Sequence, residues 1–248
     1  MKKKTAFAAL FCFLAFLGGA SAGPQSPDLF AILQKSNQSY GLVKNYSAIF
    51  EKQERSQGKL GEKEKIFLKF EKPFKIFMGW LNTEKKDLQV VYERGHHQGK
   101  LAIHKPGLFL LPVIFLDQNS PWVHAGSEKY DIEDAGIGTF LTDFTKQVDR
   151  ARKENKLQVV YPQPDSAAET VVEVTFTGST PDSGYMAYRV IVSFDKATSL
   201  PVRMSLYDWK GELTGSYSYE NLRLNVPSDE EEFTKQINRQ LYRVYREK

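Results

Sequence analysis

"FLKFEKPFKIFMGWL", residues 67–81, carries five aromatic rings in fifteen positions, and apart from Glu71 every non-lysine residue in it is apolar. A half-buried strand alternates apolar and polar residues, because successive side chains point to opposite faces. Here Ile76, Met78 and Trp80 share one side, and Phe77, Gly79 and Leu81 share the other. Both faces are apolar, so something must cover the second one. The expectation from the residues alone is that one face meets helices and that part of the remaining apolar surface lines a cavity.

Working outward, the same period of two recurs. Upstream, Tyr46, Ala48 and Phe50 alternate with Ser47, Ile49 and Glu51. Gly58 and Gly61 make a turn before Ile66, Leu68 and Phe70. Pro73 interrupts the quoted stretch. Downstream, "DLQVVYERG" (87–95) and "GKLAIHKPG" (99–107) flank a Gly-His-His-Gln-Gly turn. Strands resume with "LQVVYP" (157–162), "TVVEVTFTG" (170–178) and "YRVIVSFD" (188–195), then a long hairpin over 201–224 turning at Asp208–Gly211. Hairpin spacing predicts an antiparallel sheet.

Three helices are predicted. The first opens with Ser26 as N-cap and Pro27 in the first turn, and carries Leu29, Ile32, Leu33, Tyr40 and Val43. The second presents a stripe of Ile137, Phe140, Leu141, Phe144, Val148 and Ala151. The third follows a Ser228/Glu231 capping box, with Phe233, Ile237, Leu241 and Val244 as its apolar side. The fold class is therefore α+β: one strongly curved antiparallel sheet, an open half-barrel, wrapped around helices.

The chain begins MKKKTAFAALFCFLAFLGGASAG, a basic head, a short apolar run and an Ala20-Ser21-Ala22 cleavage site. This pattern predicts a secretory signal peptide over 1–22, cleavage after Ala22 and a periplasmic product. Cys12, the single cysteine, falls inside it, so the product would hold no disulfide, thiol nucleophile or cysteine-bound metal. Lys2, Lys3 and Lys4 would leave with the signal. That reduces 34 basic and 30 acidic residues to 31 against 30, a net charge of +1. No global field then favours nucleic acid. The remainder reads as a single domain over 23–227 followed by the terminal helix over 228–248.

Side-chain clusters were weighed for chemistry. His96 and His97 lie in the hairpin turn with His104 nearby, and adjacent histidines do not converge on one metal. Asp131, Glu133 and Asp134 could serve a hydrolase, but acids before a helix more often cap it. Gly136 and Gly138 lack the strand and lysine of a phosphate loop. The expectation is a protein that is not an enzyme, with no catalytic residues, metal or cofactor.

"GLFLLPVIFLD" (107–117) is a long apolar run with Pro112 near its middle. It is too short to span a bilayer, and proline denies it a regular central element. It is expected to form an irregular lid or rim at the cavity mouth, using Leu110, Val113, Ile114 and Phe115.

Three stretches resemble the periplasmic lipoprotein-carrier superfamily, the LolA/LolB-like proteins. "LKFEKPFKIFMGW" is similar to its strand-proline-strand element, "QVVYERGHHQGKLAIHKPG" to the hairpin that follows, and "SLPVRMSLYDWKGELTGSYSYENLRLN" to its late hairpin. Lys72 and Lys75 stand where that family carries arginines. "DIEDAGIGTFL" resembles a domain of unknown function sharing this fold. The resemblance implies an open barrel whose cavity holds acyl chains.

The function expected is non-catalytic binding of an apolar ligand: an acyl chain, a lipid or the acyl chain of a lipoprotein. A membrane surface is a candidate contact and nucleic acid is not; the oligomeric state is left open. Candidate wall residues are Phe50, Leu68, Phe70, Ile76, Met78, Trp80, Phe140, Phe144, Tyr188, Val190, Met204 and Leu206. The alternatives are an envelope sensor or interaction module with a filled core and, behind it, a hydrolase.

Overall fold

The computed structural model describes residues 28–105, 113–120, 132–162 and 168–226. The expected signal peptide and terminal helix lie outside these residues, as do Leu110, Pro112, His124 and Asp131.

Helix α1 (Leu29–Gly41) starts two positions later than a Ser26 N-cap would place it, because Asp28 is its N-cap and accepts from the Phe30 N–H at 3.3 Å. Strands β1 (Asn45–Ser56), β2 (Lys59–Leu60), β3 (Glu64–Glu71), β4 (Lys75–Trp80), β5 (Gln89–Glu93), β6 (Leu101–His104) and β7 (Ile114–Leu116) follow. Helix α2 (Ile137–Lys153) then crosses to β8 (Leu157–Val160), β9 (Glu169–Phe176), β10 (Arg189–Asp195), β11 (Pro201–Tyr207) and β12 (Leu213–Leu224).

All twelve strands join one antiparallel sheet in the order β7-β6-β5-β4-β3-β1-β12-β11-β10-β9-β8, with β2 as a short ribbon on β1. Two meanders run outward from a central seam, where β1 pairs β12. α2 carries the chain from the β7 edge to the β8 edge. Among the described residues these edges do not pair, so the sheet is open.

The register sorts the faces. Tyr46, Phe70, Ile76 and Tyr92 stand in one cross-strand row, and Ala48, Leu68, Met78, Val90, Ile103 and Ile114 in the next. These rows share the inner face. α2 lies on that face and buries Ile137, Gly138, Leu141, Phe144, Val148 and Ala151 against it. Arg150, Arg152 and Lys153 in its last turn suit the negative end of the helix dipole.

The opening stretch divides differently from the expectation. Its inner face serves both purposes: Ile76 is sealed in the core, while Met78 and Trp80 face a cavity. Its outer face meets no helix among the described residues. Phe77 is buried in a second, smaller cluster with Val91 and Ala102, flanked by Phe67 and Val113. Gly79 makes room for this, since a Cβ there would lie 3.2 Å from the Phe77 ring.

The 107–117 run also departs from the expectation within its described part. Residues 114–116 are not irregular: they pair with β6 as the edge strand β7.

Candidate functional site

β1 sets the site's polarity. Its inward positions read Tyr46, Ala48 and Phe50, all buried, and then Lys52 and Glu54. The inner face thus changes from apolar to charged along a single strand. A row of aromatic rings spans the apolar part from strand to strand. Tyr217, Phe50, Tyr219, Tyr46, Phe70, Phe74 and Tyr92 follow one another at centroid separations between 5.0 and 6.3 Å.

Between this face and α2 lies a cavity of about 840 Å³. That is within the roughly 300–1,000 Å³ usual for small-molecule sites. Phe50, Met78, Trp80 and Val90 line it from the centre of the sheet, and Leu101, Ile103, Ile114 and Leu116 from the β7 wing. Met204, Leu206, Tyr217 and Tyr219 close it from the other wing. Walls drawn from both wings and from α2 require the sheet to curve around the helix. Phe140, Thr139, Asp143 and Gln147 face the cavity from α2. The three methionines beyond Met1 are Met78, Met186 and Met204, and all line it. Thioether side chains adapt their shape readily, which suits a wall meeting flexible chains.

The structure separates the twelve wall candidates. Phe50, Met78, Trp80, Phe140, Met204 and Leu206 line the cavity. Leu68, Phe70, Ile76 and Val190 of the sheet and Phe144 of α2 are instead packed together in the core. Tyr188 is half-buried and outside the lining. Of the rim candidates, Ile114 lines the cavity, while Val113 joins the outer cluster. Phe115, 38% exposed, places its ring 5.0 Å from that of His97.

Charged lining residues were missed: Lys52, Glu54, Lys85 and Asp143 among them. For Lys52 and Glu54 a signal existed, since they continue the two-residue phase of Phe50. Lys52 Nζ lies 3.2 Å from Glu54 and 3.9 Å from Glu64, and Lys85 Nζ 2.6 Å from Glu64. Trp80 Nε1 donates to Glu64 at 2.7 Å, and the Tyr217 hydroxyl to Glu54 at 2.9 Å. Burial pushes the Glu64 pKa up, but Lys52, Lys85 and the Trp80 N–H outweigh it and hold the carboxyl below its ordinary value. It stays ionised at neutral pH.

The N-cap of α2 is Gly136, which brings no side-chain cap, and the Glu133 carboxylate before it is engaged elsewhere. A tyrosine hydroxyl does this work: Tyr46 accepts from the Ile137 N–H at 3.2 Å. Gly138 lies so close to the Tyr40 ring that a Cβ would come within 2.3 Å of it. The two glycines are thus a close-packing device. Glu133 is gripped by Arg94, at 2.7 and 3.3 Å, and by the Tyr92 hydroxyl. Arg94 first, then Tyr92, hold its carboxyl below the ordinary range. A general acid needs the opposite shift, so Glu133 does not suit that role of a hydrolase pair.

His96 pairs with Glu93 at 3.3 Å in the hairpin turn. Lys72, at one of the positions where the carriers have arginine, donates to the Tyr40 carbonyl at 2.6 Å and so ties the turn before β4 to the end of α1.

Several solved structures are similar in chain path. They include a LolA superfamily protein from Nitrosomonas europaea, at 10% identity over 81% of this chain and 95% of that one, with a TM-score of 0.36. Another is the Mycobacterium tuberculosis lipoprotein LppX, at 10% identity over 81% and 98%, with a TM-score of 0.42. A third is the Pseudomonas aeruginosa MucA/MucB complex, at 12% identity over 85% of this chain and 61% of that one, with a TM-score of 0.44. No curated protein matches the sequence. Residues 43–242, well over half of the chain, match the family described as protein of unknown function (DUF1571). The chain belongs to the DUF1571 family.

Proposed function

We propose that this is a non-catalytic protein of the bacterial envelope, exported by its N-terminal signal, that holds the apolar chain of a lipid-like ligand between its sheet and α2. One observation carries this reading: the cavity of about 840 Å³, whose walls are predominantly apolar side chains of strands and α2, among them Phe50, Met78, Phe140 and Leu206. A sensor or docking module with a filled core would leave no such space. Each methylene buried there contributes about 0.8 kcal/mol, so a chain of ordinary lipid length needs no covalent step to be retained.

The test is uptake of a solvatochromic acyl probe by the purified exported protein. Probe emission should shift to the blue on binding and saturate at one site. Met204→Glu, which places a charge in the apolar wall, should abolish the shift while leaving the circular dichroism spectrum intact. An unshifted probe with wild-type protein, or full binding by the variant, sinks the proposal.

A further inference from the structure

The charged end of the cavity has no part in holding an apolar chain, and partly burying it is costly. Lys52, Glu54, Glu64 and Lys85 have side-chain exposures of 19, 13, 14 and 27%. Charges this shielded persist when they are paired or when they serve a ligand. They are built into the sheet rather than scattered over a loop. Lys52 stands directly opposite Tyr217 on β12 and Glu64 on β3, in one cross-strand row on the inner face. Glu64 does not line the cavity; it stands behind, orienting Trp80 and Lys85 by hydrogen bonds of 2.7 and 2.6 Å. Lys52, Glu54 and Lys85 face the cavity itself.

Signs alternate within this end. An anionic site would gather cations and a cationic site the reverse. Here two ammonium groups and two carboxylates are interleaved at 2.6–3.9 Å, and Glu84 and Lys86, one of each sign, also line the cavity beside Lys85. A head bearing one charge would meet as much repulsion as attraction. A head bearing both can give its anion to Lys85, only one of whose three N–H donors is taken by Glu64, and its cation to Glu54.

We propose that the ligand is an amphiphile with a zwitterionic ammonium–phosphate head, seated at the Lys52–Glu54–Lys85 end with its chain running along the aromatic row toward Tyr219. This rests on the reading of the cavity as an apolar-chain site and adds the class of its head. The charged end accounts for specificity, and the apolar end for most of the affinity.

The test is displacement of a bound apolar dye from the purified exported protein by single-chain competitors of equal length, each below its micelle concentration. They are lysophosphatidylethanolamine (zwitterionic), lysophosphatidylglycerol (anionic) and an alkyl glucoside (uncharged). Glycerophosphoethanolamine, the head without a chain, is the fourth probe. Lysophosphatidylethanolamine should displace the dye at about tenfold lower concentration than the other two chains, as a pair of charge-assisted hydrogen bonds supplies. The free head should displace none. Glu54→Gln and Lys85→Gln should each erase the tenfold advantage, while the alkyl glucoside still displaces the dye from both variants and each keeps the circular dichroism spectrum of the folded protein. Equal potency of the three chains, a preference for the anionic one, or variants that weaken every competitor alike would overturn the head assignment while leaving the cavity reading standing. Failure of the dye itself to bind would remove both.

Discussion

Tyr46 shows how one side chain can fix the placement of a whole helix. Its ring stacks on Phe70 at 5.1 Å and meets Tyr219 edge-on at 6.3 Å, while its hydroxyl accepts the N–H of Ile137. Burial, with Tyr219 and Tyr40 adding to it, raises its pKa well above the ordinary value, although the Ile137 N–H opposes the shift. Tyr40 is pushed up to about 12, mainly by burial, and Tyr219 is raised further by the same cause. For an acid, a raised folded pKa means that the neutral form is favoured by the fold. The resulting stability is whole below the ordinary tyrosine value of 10.0 and is lost as pH rises from there through about 12. Alkaline titration should therefore show phenolate absorbance from these tyrosines rising together with loss of helical circular dichroism. Free titration of all tyrosines near 10 with the fold intact would contradict this placement of α2.

At the scale of the element, α2 does two jobs with residues one turn apart. Phe144 is fully buried against the sheet, whereas Phe140, stacked on it at 5.4 Å, faces the cavity. Phe144→Ala should cost about 3–5 kcal/mol in urea unfolding, as for a large core aromatic. Phe140→Ala should cost markedly less and should change acyl-probe affinity instead. Equal costs for the two would mean that the cavity is closed in solution. The Arg94–Glu133 pair latches the segment before α2 to the end of β5, yet its side chains are 54 and 34% exposed. Its contribution is accordingly modest, at most about 1 kcal/mol.

Across the whole molecule, two meanders meet along the β1–β12 seam and share the core beneath α2. Neither wing has a core of its own on the inner face, so they should unfold together. Trp80 reports on one wing and Trp209 on the other. Variants in which Trp80 or Trp209 is the sole tryptophan, with Trp122 also replaced, should give the same denaturation midpoint by fluorescence as by circular dichroism. Midpoints that differ between the two reporters would show separable halves. Bound ligand should raise both together, because it is held by both wings.

Much of this architecture is legible in the residues themselves. The two-residue period of Tyr46-Ala48-Phe50, the 3.6-residue stripe from Ile137 to Ala151 and the Asp208–Gly211 turn, where Gly211 has a φ of 80°, are local signals that dictate local structure. Periodicity says which residues share a face, but not what stands opposite. Phe140 and Phe144 belong to one stripe, and only the reach of α2 across the curved sheet puts the first at a cavity and the second in solid core. Leu68 and Met78 face each other across β3 and β4, and again the helix covers only one of them completely. The start of α2 joins Ile137 to the Tyr46 hydroxyl and Gly138 to the Tyr40 ring, far apart in sequence. The charged end unites Lys52, Glu54, Glu64 and Lys85 from three separate segments. Short-range alternation and turn chemistry determined most of the strands, the two described helices and the fold class; long-range pairing at the β1–β12 seam decided where a space remains and which charges look into it, because a void is defined by what fails to meet, and no single segment contains that.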